Sequence, residues 1–152
     1  MSNLDSTVNF AKSIVPLGYS ASATTIVLQA GYGAKFPAPP FNIVWWNSTD
    51  YSDPSDDPSV EVCRVTGVST DTFTLVRAQE STAASAKNLT NKTYRILAGF
   101  TQTLLTQLAN LATTNSRNNQ TTGFLELRDT VTGKYQSISL QNGVLVFGAP
   151  IN

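Results

Sequence analysis

Residues 60–77 read VEVCRVTGVSTDTFTLVR, and this stretch decides the fold class. Apolar and polar side chains alternate over residues 60–65 and again over 73–77, with a turn at 68–71 between them. Strict alternation over a few residues is the pattern of a half-buried strand. The stretch therefore predicts an antiparallel hairpin in which Val60 and Val62, followed by Val65, face the core.

Further strands are predicted on both sides of this hairpin. Residues 8–15 end an extended arm, 24–28 alternate, and 93–97 follow a loop rich in small residues. Residues 42–47, NIVWWN, form the near-continuous apolar run of a core strand. The prolines at 37, 39 and 40 exclude a helix or a central strand just before it. The predicted fold class is mainly β, with an antiparallel β-sandwich or barrel-like domain over residues 1–97.

One helix is predicted, within residues 98–113. Alternating steps of four and three residues, the spacing of an a/d seam, separate Leu97, Thr101, Leu104, Leu108 and Leu111. About two heptads are too few to hold a free coiled coil together. Two interpretations stay open. The helix packs on its own β domain, or it joins copies that flanking domains already bring together.

The C-terminal part predicts a separate β module. Residues 114–122 are polar and predict a linker, and 123–152 hold three apolar stretches, at 124–128, 135–140 and 144–147. Turns are predicted at Thr132-Gly133 and at Asn142-Gly143, the latter being a strong hairpin signal. Three short strands cannot bury a core alone, so the module requires a partner. The predicted oligomer interface consists of Leu104, Leu108, Leu111 and Phe124.

Charge is scarce in this chain. Charged residues make up 13% of the sequence, against about 25% in a typical protein, while hydrophobic residues reach 41%. Ten basic and ten acidic residues give a formal net charge of zero, and the basic residues are scattered, so nucleic acid is not an expected partner. No apolar run approaches the roughly 20 residues of a membrane span, and no signal peptide is evident. A soluble chain made in the cytosol, without a membrane partner, is expected.

The residue inventory argues against an enzyme and against a cofactor. Histidine is absent and Cys63 is the single cysteine. Nucleophile systems that pair serine or cysteine with histidine are therefore excluded, as are ordinary zinc sites. No intrachain disulfide can form from one cysteine.

An acidic stretch is the one candidate metal site. Asp53, Asp56, Asp57 and Glu61, with Asp50 just before them, supply hard oxygen ligands of the kind that calcium prefers. The spacing does not match a calcium-binding EF-hand loop, and two prolines interrupt it. Aspartate and proline are also typical of an exposed turn, so a solvated loop and a calcium loop both remain open.

Adjacent tryptophans suggest a second kind of site. Trp45, Trp46 and Tyr51 could stack on sugar rings, as in a carbohydrate-binding receptor module. Neighbouring strand residues point to opposite faces of a sheet. One tryptophan is therefore predicted in the core and the other at the surface or in an intersubunit contact.

Three stretches, taken in order, resemble a domain recurrent in virion proteins of tailed bacteriophages. They are NFAKSIVPLGYSASATTIVLQAGYGAKFPAPPFNIVWWN, DYSDPSDDPSVEVCRVTGVSTDTFTLVRAQESTAASA and KTYRILAGFTQTLLTQL, and they cover about two-thirds of the chain. The most specific pieces are residues 36–41, the VEVCRVT strand, and Val76-Arg77 followed by Gln79-Glu80. The sequence departs from the pattern at Ala78 and Ser81, where the family often has glycine, and in lacking a histidine in the small-residue stretch. A different loop geometry is therefore expected there.

The resemblance implies a structural role in a virion. The domain occurs near the start of tail, fibre or adaptor components. This implies a tail, collar or fibre-attachment subunit, a homotrimer in contact with other virion proteins. A capsid decoration protein is an alternative within this class, and a carbohydrate-binding receptor module is an alternative outside it. Arg77 and Glu80 are expected to hold the end of the hairpin by binding backbone or each other.

Overall fold

The computed structural model describes residues 4–120, 124–128, 135–141 and 144–147. The chain forms two compact units, Met1–Gln107 and Leu108–Asn152. The first unit contains β1 (Lys12–Val15), β2 (Thr25–Val27), β3 (Phe41–Asn47), β4 (Glu61–Ser69), β5 (Thr72–Gln79) and β6 (Tyr94–Leu97). The one α-helix within the described ranges, α1 (Gln102–Gln120), begins in the first unit and continues into the second.

Six antiparallel strands form one curled sheet, a half-barrel, in the order β1-β6-β3-β4-β5-β2. Gln29, just after β2, donates its backbone N–H to the carbonyl of Ile14 in β1 at 3.0 Å. The two ends of the strand order therefore approach each other, which limits the exposed edge that an open sheet would present. The predicted mainly β fold class is confirmed.

The central position of β3 follows from its composition. It pairs with β4 on one side and with β6 on the other, and six of its seven residues are buried. Continuous apolar runs are typical of strands covered on both faces, as predicted for NIVWWN. Next to β3, the rings of Phe36, Phe41 and Phe73 pack with centroids 5.1 to 6.0 Å apart and form the aromatic centre of the core.

The 60–77 hairpin is present as β4 and β5. Val65 is buried, as predicted, but the inward orientation predicted for Val60 and Val62 is wrong. Glu61, Cys63 and Val65 are fully buried, whereas Val60 and Val62 are only half-buried. Alternation shows which residues share a face of a strand. It does not show which face is buried when the buried face carries a charged residue with a partner. Glu61 has such a partner, so the face that carries it is the core face.

Both ends of α1 differ from the prediction. The helix begins at Gln102 rather than Ala98, because the N–H of Ala98 still bonds to the carbonyl of Ala11 at 2.9 Å and extends the sheet. It continues to Gln120, through most of the predicted linker at 114–122. No glycine or proline occurs between residues 101 and 122, and polar residues alone do not end a helix.

The second unit holds three antiparallel strands in the order β7-β8-β9: β7 (Phe124–Arg128), β8 (Tyr135–Gln141) and β9 (Val144–Phe147). Their positions agree with the three stretches predicted at 124–128, 135–140 and 144–147. The turns predicted at Thr132-Gly133 and Asn142-Gly143 lie outside the described residues.

One glycine is required by close backbone packing. A Cβ at Gly33 would lie 1.9 Å from the carbonyl oxygen of Thr70, in the β4–β5 turn. The Asp71 carboxylate ties the same two segments together by accepting the N–H groups of Gly31 and Gly33 at 2.9 and 2.7 Å. The 31–33 segment and the hairpin turn therefore meet with no room for a side chain.

We expect Gly33→Ala to lower the free energy of unfolding by about 3 kcal/mol, the upper part of the usual range for overpacking. The matched control is Gly67→Ala in β4, whose added Cβ would meet nothing closer than 3.4 Å. This control should change stability by less than about 0.5 kcal/mol. Urea denaturation followed by tryptophan fluorescence measures both, and equal stability of the two variants would contradict the close approach.

Candidate functional site

The acidic loop is built from local caps. Asp53 accepts the N–H of Ser55 at 2.8 Å and caps a short 3-10 helix at Pro54–Asp56. Asp57 is buried and accepts the N–H groups of Asn47 and Ser59, both at 2.8 Å. These carboxylates satisfy backbone donors that the turns leave unpaired, which is the usual role of aspartate there.

Glu61 does not belong to this loop. Its carboxylate is fully buried and paired with Arg77 across the hairpin. Among the described residues, no three acidic or cysteine side chains come together as a metal-binding group. The four predicted calcium ligands therefore do not form one site, because Glu61 faces the core while Asp53 and Asp56 are exposed.

The Glu61–Arg77 pair is the most deeply buried of the three ion pairs among the described residues. Arg77 donates Nε and Nη2 to the two Glu61 carboxylate oxygens at 2.7 and 2.6 Å. Its remaining donors reach the carbonyls of Ser20, Ala23 and Ser85 at 3.1, 3.0 and 2.9 Å. Burial raises the pKa of Glu61, but the hydrogen bonds from Arg77 and from Ala78 N–H outweigh it and hold the pKa below its ordinary value.

A buried lysine completes the same network. Lys87 is 1% exposed, and its ammonium group donates to the hydroxyl of Ser85 at 2.7 Å and to the carbonyl of Ser59. Burial lowers the pKa of Lys87 even though the charge of Glu61 acts in the opposite direction. The network thus joins β4 and β5 to the loop that contains Ser20 and Ala23 and to the loop that contains Ser85 and Lys87. These hydrogen bonds connect parts of the first unit to one another.

Arg77 and Glu80 hold the hairpin end, but they do not bind each other. Arg77 binds backbone carbonyls, as expected. Glu80 instead accepts the N–H groups of Gln102 and Thr103 at 2.9 and 3.0 Å and the side-chain amide of Asn42 at 2.6 Å. A carboxylate at the first turn of a helix satisfies free donors and interacts favourably with the helix dipole. Glu80 therefore fixes the start of α1 to the β domain.

The backbone around Glu80 adopts the left-handed conformation three times. Ala78, Glu80 and Ser81 have φ values of 56°, 52° and 63°. Glycine adopts this region at little cost, whereas other residues pay a steric penalty. Ala78 and Ser81 are the positions at which the resembled family often has glycine. The two departures therefore leave residues other than glycine in a conformation that glycine favours.

The N-terminal arm is fixed to both the sheet and the helix. The Asp5 carboxylate is paired with the guanidinium of Arg64 in β4, and Asp5 exchanges two hydrogen bonds with the side chain of Gln107 at 3.0 and 3.2 Å. The hydrogen bond from Arg64 is the main reason that the pKa of Asp5 lies below its ordinary value, against the opposing effect of burial. Asp5 thus attaches the N-terminal arm to β4 and to the first part of α1.

Neither tryptophan is a surface residue. Trp45 is fully buried and packs edge-on against Tyr19 at 5.9 Å, with the guanidinium of Arg77 4.9 Å from its ring. Trp46 is 4% exposed, and its indole N–H donates to the carbonyl of Tyr51 at 3.2 Å. The prediction that one of them lies at the surface or between subunits is wrong, since the segment after β3 covers the second ring. The carbohydrate-binding alternative thereby loses its exposed tryptophan, and only Tyr51, which is half-buried, remains as a residue that could stack on a sugar.

The predicted oligomer residues divide into two groups. Leu104 is 6% exposed and lies in the wall of a cavity within the first unit, so it is covered mainly by its own unit, and its assignment to an interface between chains stays a prediction. Leu108 and Leu111 are 39% and 41% exposed and remain candidates. Phe124 lies in β7, and its side-chain surroundings are outside the described part of the chain.

We expect Glu80→Gln to lower the free energy of unfolding by about 1 to 2 kcal/mol, the range for loss of a charged helix cap. Hydrogen bonds from Thr103, Thr101 and Asn42 hold the pKa of Glu80 below its ordinary value despite the opposing effect of burial. Its stabilising contribution is therefore complete above the ordinary glutamate pKa of about 4.3 and is lost as the pH falls through the lower, folded-state pKa.

Thermal unfolding between pH 7 and pH 3 measures this contribution. The stability gap between wild type and Glu80→Gln should narrow as the pH falls. Asp56→Asn, at an exposed loop carboxylate, is the control and should leave stability within about 0.5 kcal/mol. A gap that is independent of pH would contradict the role of the Glu80 charge.

Sequence reasoning missed Asp5 and Lys87. Asp5 meets Arg64 and Gln107 at separations of 59 and 102 residues, and no local pattern encodes such contacts. Lys87 carried a weak signal, as a lone charge in a stretch of small residues.

When the sequence is compared with models of known families and with curated proteins, nothing matches. Among the described residues, no helix has both the length and the apolar character that a membrane span requires.

Proposed function

We propose that this chain is a structural subunit of a tailed-bacteriophage particle, in the tail, in the collar or at the attachment of a fibre. It assembles by contacts between copies and with other virion proteins, and it has no catalytic role. The sequence resemblance supports the class of protein, and the chemistry of the first unit is compatible with it.

The polar groups of the first unit serve its stability. Glu61 and Lys87 are buried, the side chain of Arg77 is 7% exposed, and the three groups bind each other or backbone. Cys63 is fully buried, and burial raises the pKa of its thiol to about 12. A reactive cysteine needs a lowered pKa and access to solvent, so Cys63 is unsuited to nucleophilic catalysis.

The observation that carries the proposal is the lack of charge in the first turns of α1, together with the exposed leucines on one of its faces. Residues 97–116 contain no charged side chain, and Leu108 and Leu111, three residues apart on one face, are 39% and 41% exposed. A solvated helix normally carries charge on its free face. Exposed leucines at seam spacing are typical of a surface covered in an assembly.

The test is the location of the chain in intact particles. Particles purified by density gradient from a host that carries the coding sequence should contain the chain in a fixed copy number, measured by quantitative mass spectrometry. Electron microscopy with a labelled antibody should place it on the tail, collar or fibre base. Label on the capsid shell would favour the decoration alternative, and a chain found only outside particles would refute a virion role.

A further inference from the structure

Two phenylalanine side chains beside a cavity in the first unit are exposed to solvent. Phe10 is 93% exposed and Phe100 is 80% exposed, and both line a cavity of about 300 Å³. The apolar part of the wall includes Phe41, Leu97 and Leu104. Single exposed apolar residues are ordinary on protein surfaces, but two aromatic side chains beside an apolar cavity form a patch of the kind found at interaction sites.

The backbone holds Phe10 in this exposed position at a cost. Its φ is 60°, in the left-handed region, which bulky side chains rarely adopt. The residue therefore has both an unfavourable backbone conformation and a solvated aromatic ring. Such a combination persists where the surrounding structure enforces it and is a reason to look for a function. Here the arm is fixed just before Phe10 by the Asp5–Arg64 pair.

We propose that this surface binds a second copy of the same chain, with Phe10 of one copy entering the cavity of the next. The inference deepens the proposed assembly function and rests on it. One chain carries both complementary parts, a protruding ring and an apolar cavity. An engineered protein cavity of about 150 Å³ admits benzene, so a cavity of about 300 Å³ has room for the ring of a phenylalanine.

The charge distribution favours a copy over a different protein. Among the described residues that line the cavity, Asp5 is the one charged residue, and Arg64 neutralises it. The rest of the polar wall is uncharged and includes Ser6, Asn9 and Thr101. Contacts between different proteins commonly use complementary charge for specificity, which this surface does not offer. Copies with no net charge also meet without long-range repulsion.

The apolar area is close to what a stable contact needs. Phenylalanine side chains bury roughly 150 to 250 Å² each, so two that are mostly exposed supply on the order of 300 Å² per copy. A standard interface covers about 800 Å² per partner, of which a little over half, roughly 450 Å², is apolar. The two rings therefore provide most of the apolar centre, and the uncharged wall provides a polar rim.

Phe10 lines the same cavity that it enters in the other copy, so the ring and the cavity belong to one surface patch. A contact that uses the same patch on both copies is isologous. A two-fold dimer is thus expected, in which each Phe10 enters the cavity of the partner.

The experiment combines sedimentation with photo-cross-linking of the full chain. Phe10→Ala and Phe100→Ala should each weaken self-association at least tenfold by sedimentation equilibrium, as expected for an aromatic residue at the centre of an interface, without changing thermal unfolding. A phenylalanine analogue bearing benzophenone at position 10 should cross-link to residues 97–104. Mixing isotope-labelled and unlabelled chains then shows whether the link joins two copies.

The matched control is Leu89, which is 60% exposed and does not line the cavity. Leu89→Ala should leave association unchanged, and the analogue at position 89 should give no link between copies. A monomeric wild type, unchanged association of Phe10→Ala, or the absence of any link between position 10 and the cavity of a second copy would each overturn the inference. A monomeric chain that is still found in particles would refute this contact alone, whereas self-association of a chain absent from particles would refute only the virion role.

Discussion

Replacing Arg77 by alanine should lower the free energy of unfolding by about 3 to 5 kcal/mol, the range for removing one partner of a buried ion pair. The change leaves the Glu61 carboxylate fully buried without its two guanidinium donors, and it also frees the carbonyls of Ser20, Ala23 and Ser85. Urea denaturation at pH 7, with the two tryptophans as the fluorescent probe, measures the loss. A change within about 0.5 kcal/mol, typical of an inert surface position, would show that the pair does not hold the hairpin.

The effect has a pH signature. In the wild type, the folded-state pKa of Glu61 lies below its ordinary value, so the stability from this group is present at neutral pH and is lost on acidification. Without Arg77, burial dominates and raises the pKa of Glu61. The carboxyl group then takes up a proton more readily in the folded state. The deficit of Arg77→Ala should accordingly shrink as the pH falls below about 5.

Two controls separate the buried pair from ion pairs in general. Lys92→Ala breaks the pair with Asp50, whose side chains are 30% and 37% exposed, and should cost at most about 1 kcal/mol. The double variant Glu61→Gln with Arg77→Ala removes the uncompensated charge. It should be more stable than Arg77→Ala alone, because an unpaired buried charge costs more than a missing pair.

Leu108→Asp should dissociate the proposed oligomer while leaving the first unit folded. A leucine buried between chains contributes about 2 to 5 kcal/mol. In the variant, every copy loses this contribution at the contact and places a carboxylate next to the carboxylates of its neighbours. Light scattering should show a lower mass than that of the wild type at the same concentration, because the contact through α1 is lost. Tryptophan fluorescence should be unchanged, since Trp45 and Trp46 both lie in the first unit.

Asn110→Asp is the matched control for this variant. It adds the same charge in the same helical turn, at an exposed position on the opposite side of the helix, because two residues advance about 200° around the axis. The control should keep its association. A wild-type chain that is monomeric at high concentration would contradict self-assembly through Leu108, and it would favour a subunit that associates only with other virion proteins.

The sequence predicted the strands because alternation and apolar runs are local signals. The NIVWWN run and the 60–77 hairpin were located correctly for this reason. The inward face of β4 was predicted wrongly because Glu61, a charged residue, is buried with a partner sixteen residues away. The predicted helix is too short because a polar stretch is not by itself the end of a helix, and no glycine or proline occurs between residues 101 and 122.

The candidate site was harder to predict, since its parts are distant in sequence. Asp5, Asn42, Glu80 and Gln107 meet around the start of α1 across separations of 38 to 102 residues. Leu104 fits a seam by spacing alone, but most of its side chain is covered by the first unit, where it forms part of a cavity wall. Spacing along a helix identifies which residues share a face, and only the tertiary fold decides what covers that face.

The inert thiol of Cys63 has a practical consequence. It is the only cysteine in the chain and lies in β4 beside the centre of the sheet, fully buried. A thiol-specific reagent can reach it only in molecules whose sheet has opened, so the labelling rate reports the frequency of opening. Mass spectrometry can measure this labelling rate on the one peptide that contains Cys63, even in a mixture of proteins. The unmodified chain can therefore be followed within the proposed assembly. A denaturant would unfold the neighbouring proteins as well, so that the unfolding of this chain could not be distinguished from theirs.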